Sequence, residues 1–418
     1  MIPRPASWSR PASAASAVAA GLVAVVLFLV VWGVLHRGFF AHHPIVDTPV
    51  YERYGSAMDD GRVPYRDFSV EYPPGALPVF VLPALGDVDS ETFRVRFEGL
   101  MVSLGEAMLV CVALALLAVG AGSARLLAAL GFVALAPLAL GPVVLSRFDL
   151  WPAALTAAAL AALVAGRGRL GHAALGAAVA AKLYPAVLAP LALVYVWRRA
   201  GRREALVCGG ILAGVVAAAF APFVAVAPGG VWDGLWNQAS RPLQIESLGS
   251  GFLLAAHHAL GLDVTMRSSH GSQNLEGALP DALAVAQSAV QALTLVAIWV
   301  AFARGPADRE RLFVAAAAAL CAFVALGKVL SPQFLIWLIP VVPLVRGRRG
   351  LYASALLALA LVLTQIWFPY RYWALALRFD ELPSWLVLGR DLVLIALVAV
   401  LWPQQESGKE PASDSLLQ

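Results

Sequence analysis

The sequence is poor in charge. Asp, Glu, Lys and Arg together make up only 13% of its 418 residues, whereas hydrophobic residues make up 60%. Soluble domains carry about 25% charged residues and are roughly half apolar. The composition therefore excludes an ordinary soluble protein and indicates a polytopic membrane protein. The net charge of +4 comes from arginines in short loops, so it does not indicate a nucleic-acid partner.

Cysteines and cofactor motifs are also scarce. The three cysteines, Cys111, Cys208 and Cys321, lie within apolar runs, where they have no metal-ligand spacing and no disulfide partner in a polar segment. No glycine-rich loop follows a predicted strand, which excludes a recognisable nucleotide site. Asp87 and Asp89 are predicted to cap the next helix rather than to bind a metal. We therefore expect no cofactor and no metal.

Long apolar runs make up most of the sequence. A helix that crosses a bilayer needs about 20 apolar residues, and ten runs of this kind are present. They are 15–36, 94–119, 124–142, 146–166, 204–226, 281–303, 309–327, 329–345, 351–369 and 385–402. Because an open chain in lipid satisfies its backbone only as a helix, the sequence predicts an all-α bundle of about ten transmembrane helices. The first run lacks a cleavage site and is predicted to be retained.

Arginine-rich segments set the predicted orientation. They precede the first run and recur at 166–172, 198–204, 303–311 and 346–350. Short loops rich in arginine stay in the cytoplasm. All five can do so only if an eleventh run, 173–196, enters and leaves on one face, so we predict a re-entrant hairpin bent at Tyr184-Pro185.

This threading places both termini in the cytoplasm and predicts one transmembrane domain, 1–402. The polar tail 403–418 is predicted to be a disordered cytoplasmic segment. Three segments fall on the outer face, and we call them the first, second and third polar loops: 37–93, 227–280 and 370–384.

The first polar loop contains the most unusual stretch, IVDTPVYERYGSAMDDGRVPYRDFSVEYPPG at 45–75. A helix is predicted from Thr48 or Pro49 to Met58, with Asp47 near its N-cap and Tyr51 on the same face. The simplest interpretation of Asp47 is a helix cap. The alternative is a functional carboxylate. Glu71 is a second candidate, because it precedes two prolines that keep the chain extended.

Charged residues inside or beside the apolar runs are further candidates. Lys182 interrupts the hairpin at a cost of about 2.5–3.5 kcal/mol, and it either holds a phosphate or pins the hairpin by an ion pair. Lys328 and Gln333 lie where the run 309–327 ends; for Lys328, phosphate contact competes with snorkelling. Arg147 and Asp149 are interpreted as a local pair at the membrane interface, and the alternative is that they contact the substrate.

The other two polar loops offer several more groups. Arg241 and Glu246 are candidate hydrogen-bonding groups for a sugar or a phosphate. The default interpretation of His257 is a histidine satisfied within the fold, and the alternative places it near a reacting phosphate. Arg371 has a guanidinium group suited to phosphate, although lipid headgroups would satisfy it equally.

Three motifs together resemble a known family. Asp47, Tyr51 and Gly61 with "PYRDF" and "EYPPG", then "AAKLYPAVLAPLAL" at 180–193 and "GKVLSPQFLIWLIPV" at 327–341, are similar to GT-C integral-membrane glycosyltransferases. The similarity runs from about residue 20 to 400. It is greatest to glycosyltransferase family 87, the polyprenol-phosphate-mannose-dependent mannosyltransferases of actinobacteria.

The resemblance implies an inverting enzyme that moves a sugar, most simply mannose, from a polyprenyl-phosphate carrier to a lipid or glycan acceptor on the outer face of the cell membrane. It implies a GT-C-like bundle with helices in its outer loops, and Asp47 is the position that matches the catalytic base. Tyr51, Glu71, Lys182, His257, Lys328, Gln333 and Arg371 are then candidates for substrate binding.

Two other functions remain open at this stage. A transporter or flippase of lipid-linked glycans would also need many helices, but its ionisable residues should concentrate near the bilayer midplane. A lipid-linked polymerase or ligase could share the same architecture and would differ only in its acceptor. The sequence does not distinguish mannose from arabinose.

Overall fold

The computed structural model describes residues 11–42 and 45–403. The basic N-terminal stretch up to residue 10 and nearly all of the predicted disordered tail lie outside these residues. The helices, α1 to α16, are Ala14–Val34, Thr48–Asp59, Leu77–Ala84, Ser90–Ala118, Ser123–Leu140, Leu150–Val164, Gly168–Ala181, Ala189–Ala200, Arg202–Val226, Pro228–Ala239, Leu248–Leu260, Ala278–Arg304, Arg309–Ala325, Gly347–Trp367, Tyr372–Arg378 and Glu381–Leu401.

The predicted all-α membrane fold is confirmed. Among the described residues, 7 helices are long and apolar enough to cross a membrane: α1, α4, α5, α9, α12, α14 and α16. Each of them matches a predicted run to within a few residues. Two further predicted runs form the shorter helices α6 and α13, of 15 and 17 residues. The helix α13 is buried along almost all of its length and therefore lies at the centre of the bundle.

The run 329–345 is not the transmembrane helix that its hydropathy predicts. Its regular structure consists of two short 3₁₀ segments, Pro332–Trp337 and Val342–Leu344. Prolines at 332, 340 and 343 each remove a backbone donor and prevent a continuous α-helix. The irregular backbone is tolerated because the segment is almost entirely buried in protein, which is where such structure occurs at membrane depth.

The predicted hairpin at 173–196 is present in outline. The chain rises as α7, breaks at Lys182-Leu183, forms a 3₁₀ turn at Tyr184–Leu188 and returns as α8. The two ends of the hairpin are adjacent, because a Cβ on Gly168 would lie 3.2 Å from Val196. Because the helix breaks at Lys182, the bend begins two residues before the predicted Tyr184-Pro185. Lys182 thus lies at the tip of the hairpin rather than midway along an apolar segment.

The arginine-rich segments collect at one end of the bundle, which we call the arginine end. Arg125 binds Glu310 and the carbonyl of Leu344, and Arg309 binds the carbonyl of Ala118. Arg198 reaches the carbonyl of Ala303, and Arg169 binds Glu204. This clustering is what the positive-inside argument requires of loops on one face.

The polar loops collect at the opposite end, the polar end. The helix α6 runs between the two ends, from Asp149 to Val164, and its 15 residues correspond to a rise of about 22 Å. In the first polar loop, α2 spans Thr48–Asp59, close to the predicted helix, and a 3₁₀ turn at Pro74–Ala76 leads into α3. The second polar loop contains an antiparallel hairpin, Thr265–Ser269 with Ser272–Glu276, which was not predicted.

Glycines let α10 approach the first polar loop closely. A Cβ on Gly230 would lie 1.9 Å from the carbonyl oxygen of Tyr65, and one on Gly234 would lie 2.9 Å from that of Val70. These glycines are four residues apart and share one helix face. The second polar loop therefore packs directly against the first.

We expect Gly230→Ala to lower the free energy of unfolding by about 1–3 kcal/mol, the usual cost of overpacking, because the new methyl group meets backbone rather than a flexible side chain. Gly229→Ala is the matched control, since nothing lies within 4 Å of a Cβ there, and alanine favours a helix. Chemical denaturation in detergent measures both variants. Equal stability of the two variants would contradict the close contact.

Candidate active site

Asp47 occupies the N-cap position of α2, as predicted, but its side chain makes no capping hydrogen bond. Instead, one carboxylate oxygen lies 2.6 Å from Nη1 of Arg147, and the other accepts a hydrogen bond of 3.4 Å from the hydroxyl of Tyr51. The interpretation of Asp47 as an ordinary helix cap is therefore wrong. The carboxylate is held by a cation on one side and by a phenol on the other.

Arg147 and Asp149 do not form the local pair that their spacing suggested. Both are buried, with 4% and 0% of their surface exposed, but each has a distant partner. Arg147 pairs with Asp47, while Asp149 accepts bonds of 2.6 Å from Lys182 and 2.6 Å from the indole of Trp337.

Lys182 holds the tip of the hairpin against Asp149. Aromatic rings surround its ammonium group: the ring centroid of Phe148 lies 4.6 Å away and that of Trp337 5.2 Å away. Ring faces attract cations, so the site is built for a positive charge. The structure shows the ion pair that was one of the two alternatives for Lys182.

An aromatic cluster supports the Asp47 side of the site. Tyr51 stacks on Phe80 at 4.6 Å, and Phe148 packs against Tyr72 at 4.9 Å and Phe80 at 5.2 Å. Burial raises the pKa of Tyr51 well above its usual value, and the charge of Asp47 adds to the effect. Tyr51 therefore keeps its proton and remains a hydrogen-bond donor to Asp47.

The second polar loop brings further charges to the site. Burial lowers the pKa of Arg241, while the carboxyl groups of Glu71 and Glu246 oppose the shift. Burial raises the pKa of Glu71, with Arg241 opposing and Asp47 adding to the increase. These interactions place Glu71 within electrostatic reach of Asp47 and Arg241, and Arg241 within reach of Glu246.

Several buried polar atoms at this end make no hydrogen bond within the described residues. They include Nε and Nη1 of Arg147, Nε of Arg241, Oε1 of Gln244 and Oε1 of Glu246. Buried polar groups are nearly always satisfied. Guanidinium donors beside amide and carboxyl acceptors are the complement of a phosphate that carries a hydroxylated sugar.

Glu246 gives the site a pH dependence. Burial raises its pKa from 4.5 to about 8, although Arg390 and Arg241 act in the opposite direction. The folded protein thus binds this proton more tightly than the unfolded chain does. The stabilisation is complete below about pH 4.5 and is lost as the pH rises through about 8.

We therefore expect the melting temperature in detergent to fall as the pH rises from about 6 to about 9. Glu246→Gln cannot ionise and should flatten this slope. Glu276→Gln, at the exposed end of a strand in the same loop, is the control and should retain the wild-type slope. Equal slopes in all three proteins would show that Glu246 is ionised throughout.

Lys328 lies at the edge of the site. Its Nζ donates to the carbonyl of Ala239 at 3.1 Å, and its own carbonyl accepts from the backbone of Gln244. Burial lowers the pKa of Lys328, and the charge of Arg241 lowers it further, so the two cations are close. Gln333 is partly buried in the first 3₁₀ turn of the segment 332–344.

His257 and Arg371 have local partners. Nδ1 of His257 donates to the carbonyl of Leu262 at 2.7 Å, and its ring packs against Phe379, as expected of a histidine satisfied within the fold. Arg371 is exposed and donates to the carbonyl of Ile366 at 2.9 Å. Neither contact joins these residues to Asp47.

Arg390 and Asp391 form a buried pair that the sequence analysis missed. Both are fully buried in α16, with 2.6 Å between Nε of Arg390 and a carboxylate oxygen of Asp391. Arg390 also donates to the backbone carbonyl of Glu246, which ties α16 to the second polar loop. Two adjacent charges inside the apolar run 385–402 were the available signal, since intramembrane charges usually mark paired or functional positions.

An apolar pocket opens beside the charged groups. It is small and open to solvent, and its lining includes Glu71, Tyr72, Leu183, Phe220, Val231 and Leu235. Leu183 follows Lys182 directly, so the pocket adjoins the tip of the hairpin. The neighbouring helix α9 exposes most of its apolar surface. Within the described residues, no group of three or more His, Cys, Asp and Glu side chains could hold a metal ion.

The comparisons with known proteins find similarity among solved structures. No protein-family model matches the sequence, and no curated protein matches it. Among solved structures, the chain is similar to ArnT from Cupriavidus metallidurans, whose crystal structure contains bound undecaprenyl phosphate. The identity is 16%, the similarity covers 93% of this chain and 77% of that chain, and the TM-score is 0.49.

Proposed function

We propose that this protein is an integral-membrane glycosyltransferase. It transfers a sugar from a polyprenyl-phosphate carrier to a lipid or glycan acceptor at the polar end of the bundle, which faces the outer side of the cell membrane. The observation that carries the proposal is the position of Asp47: its carboxylate is paired with a buried arginine and is adjacent to unsatisfied donors, acceptors and an apolar pocket.

The arrangement suits an inverting transfer. A hydroxyl of the acceptor attacks C1 of the sugar on the face opposite the phosphate, and its proton passes to Asp47. The bond from C1 to the phosphate oxygen breaks, and its electron pair leaves with the polyprenyl phosphate. A positioned base contributes about 10²–10⁴-fold to such a step, and preorganised positive charge stabilises the leaving group.

Arg147 and Arg241 are the best-placed groups for the phosphate, because their buried Nε–H groups lack partners within the described part of the chain. Lys328 extends this positive region, since its charge interacts with that of Arg241. Gln244 and Glu246 offer unfilled acceptors for sugar hydroxyls. Arg371 remains a proposed donor contact, and Arg371→Ala would leave donor affinity unchanged if that assignment is mistaken.

The apolar pocket gives the lipid a place next to these charges. Leu183, Phe220 and Val231 in its lining would contact the first isoprene units, while Glu71 at its rim would lie near the acceptor. Gln333 and His257 remain proposed binding residues of the surrounding loops. Mannose is the proposed sugar, following the resemblance of the sequence motifs.

Transport of a lipid-linked glycan is the second candidate function, because Arg390 and Asp391 are charges within an apolar helix. The charges at the polar end favour the enzyme, since a transporter should concentrate them at the midplane. A lipid-linked polymerase would use the same site and differ in its acceptor.

The deciding experiment supplies the purified protein in nanodiscs with decaprenyl-phosphate mannose or arabinose, labelled in the sugar, and a membrane-lipid extract. We expect label to move covalently to an acceptor from one of the two donors. In proteoliposomes, movement of intact donor across the bilayer with no covalent product would instead identify a transporter.

A further inference from the structure

The charges around Asp47 are arranged in a way that the proposed reaction does not explain. A general base works when its carboxylate is free to take a proton, yet Asp47 is bound to Arg147 at 2.6 Å. In this arrangement, one carboxylate oxygen of Asp47 is paired with the guanidinium group and the other accepts the hydrogen bond from Tyr51.

Arg147 does not use all of its hydrogen-bond donors in this contact. Its Nη1 lies 2.6 Å from the Asp47 carboxylate, but neither Nη1 nor Nε makes a hydrogen bond among the described residues. The side chain is 95% buried by accessible surface, whereas 29% of the Asp47 side chain is exposed. The arginine is therefore fixed in place with unused donor capacity, and the carboxylate lies at the more accessible side of the pair.

We propose that Asp47 and the donor phosphate compete for Arg147. In the protein without substrate, Arg147 neutralises Asp47. When the polyprenyl phosphate binds, Arg147 turns to the phosphate oxygens, and Asp47 keeps the hydrogen bond from Tyr51. Donor binding thereby frees the carboxylate oxygen that Arg147 occupied, so an acceptor that arrives first meets a carboxylate that is still paired. This inference rests on the proposed function and adds an order of binding to it.

The neighbouring charges are compatible with the exchange, by which we mean the move of Arg147 from Asp47 to the donor phosphate. Lys182 and Asp149 form a second pair at 2.6 Å, so Lys182 has a counterion of its own while Arg147 changes partner. The proton of Tyr51 is retained because burial raises its pKa, so a donor to the Asp47 carboxylate remains after the arginine has moved. The negative charge of the phosphate replaces that of Asp47 as the counterion of the buried guanidinium group.

The competition predicts that a substitution of the proposed base increases the affinity for the donor phosphate. Removing the charge of Asp47 releases Arg147, so Asp47→Asn should bind decaprenyl phosphate more tightly than the wild type does. Couplings between two ligands of one group commonly change affinity by about 5–150-fold, and we expect a gain of at least about fivefold. Arg147→Gln should bind the probe at least about tenfold more weakly, because it loses a charged phosphate contact.

The test titrates decaprenyl phosphate, without sugar, into four proteins in nanodiscs: wild type, Asp47→Asn, Arg147→Gln and the double variant. The exchange predicts that the gain from Asp47→Asn disappears in the Arg147→Gln background. An equal gain in both backgrounds would show simple repulsion between Asp47 and phosphate and would overturn the exchange. No gain in Asp47→Asn would also overturn it.

A control ion pair and a replacement variant complete the test. Arg267 and Glu276 form an exposed pair in the second polar loop, and neutralising them singly and together should leave probe affinity unchanged. If Asp47→Asn does not fold, Asp47→Ser replaces it, since the smaller side chain leaves room for water beside Arg147. Absence of probe binding in every protein would contradict the proposed function itself, whereas tight wild-type binding without the gain contradicts only the exchange.

Discussion

Asp47→Asn is expected to lower the turnover of sugar transfer by about 10²–10⁴-fold, the contribution of a positioned general base, while the protein still binds donor. The amide keeps the size of the side chain and can still accept a hydrogen bond from Tyr51, but it cannot take a proton from the acceptor. Because the Asp47 side chain makes no capping bond to α2, the substitution should not unwind that helix.

Single-turnover assays with saturating donor measure the effect, and the melting temperature checks folding. Asp67→Asn is the matched control: Asp67 lies in the same polar loop, but its carboxylate binds Arg66 and the backbone of Val63, away from the site. We expect it to retain normal turnover. A well-folded Asp47→Asn protein with near-normal turnover would reduce Asp47 to a structural partner of Arg147.

The periodic and compositional features of the sequence predicted the helices well. The limits of α2 and of the long apolar helices follow from hydropathy, proline and capping residues, which act locally along the chain. The segment 332–344 is the instructive exception. Its apolar composition signals burial, and burial in protein rather than in lipid permits the irregular backbone that its prolines impose.

The candidate site could be predicted only in part. Asp47 and Tyr51 lie four residues apart on one helix, so their contact follows from helical geometry. The partner of Asp47 does not, because Arg147 is 100 residues away and its spacing from Asp149 suggested a local pair. Which oppositely charged residues meet depends on how the polar loops fold over the hairpin, and no local pattern encodes that.

The assignment of Lys182 illustrates the same limit. Its position in an apolar run signalled either a phosphate ligand or an ion pair, and the structure provides the pair with Asp149. Contact with the phosphate remains a second prediction for Lys182, because Lys182 lies at the tip of the hairpin, beside the pocket proposed for the lipid. A stability measurement can separate the two contributions.

Lys182→Met is expected to lower the free energy of unfolding by about 3–5 kcal/mol, since breaking a buried ion pair leaves an uncompensated charge. Asp149 is fully buried, and the indole of Trp337 is its other hydrogen-bond partner among the described residues. Chemical denaturation in detergent measures the loss. Arg169→Met is the control, because its pair with Glu204 is exposed at the arginine end and should contribute no more than about 1 kcal/mol.

The double variant Lys182→Met with Asp149→Asn should recover most of the lost stability, because it removes the stranded carboxylate along with the cation. Donor binding by this double variant then distinguishes the two roles of Lys182. Restored stability with wild-type affinity for decaprenyl phosphate assigns Lys182 to holding the hairpin tip alone. Restored stability with weakened affinity assigns it to the phosphate as well. A Lys182→Met protein as stable as Arg169→Met would mean that the pair with Asp149 does not hold the hairpin in place.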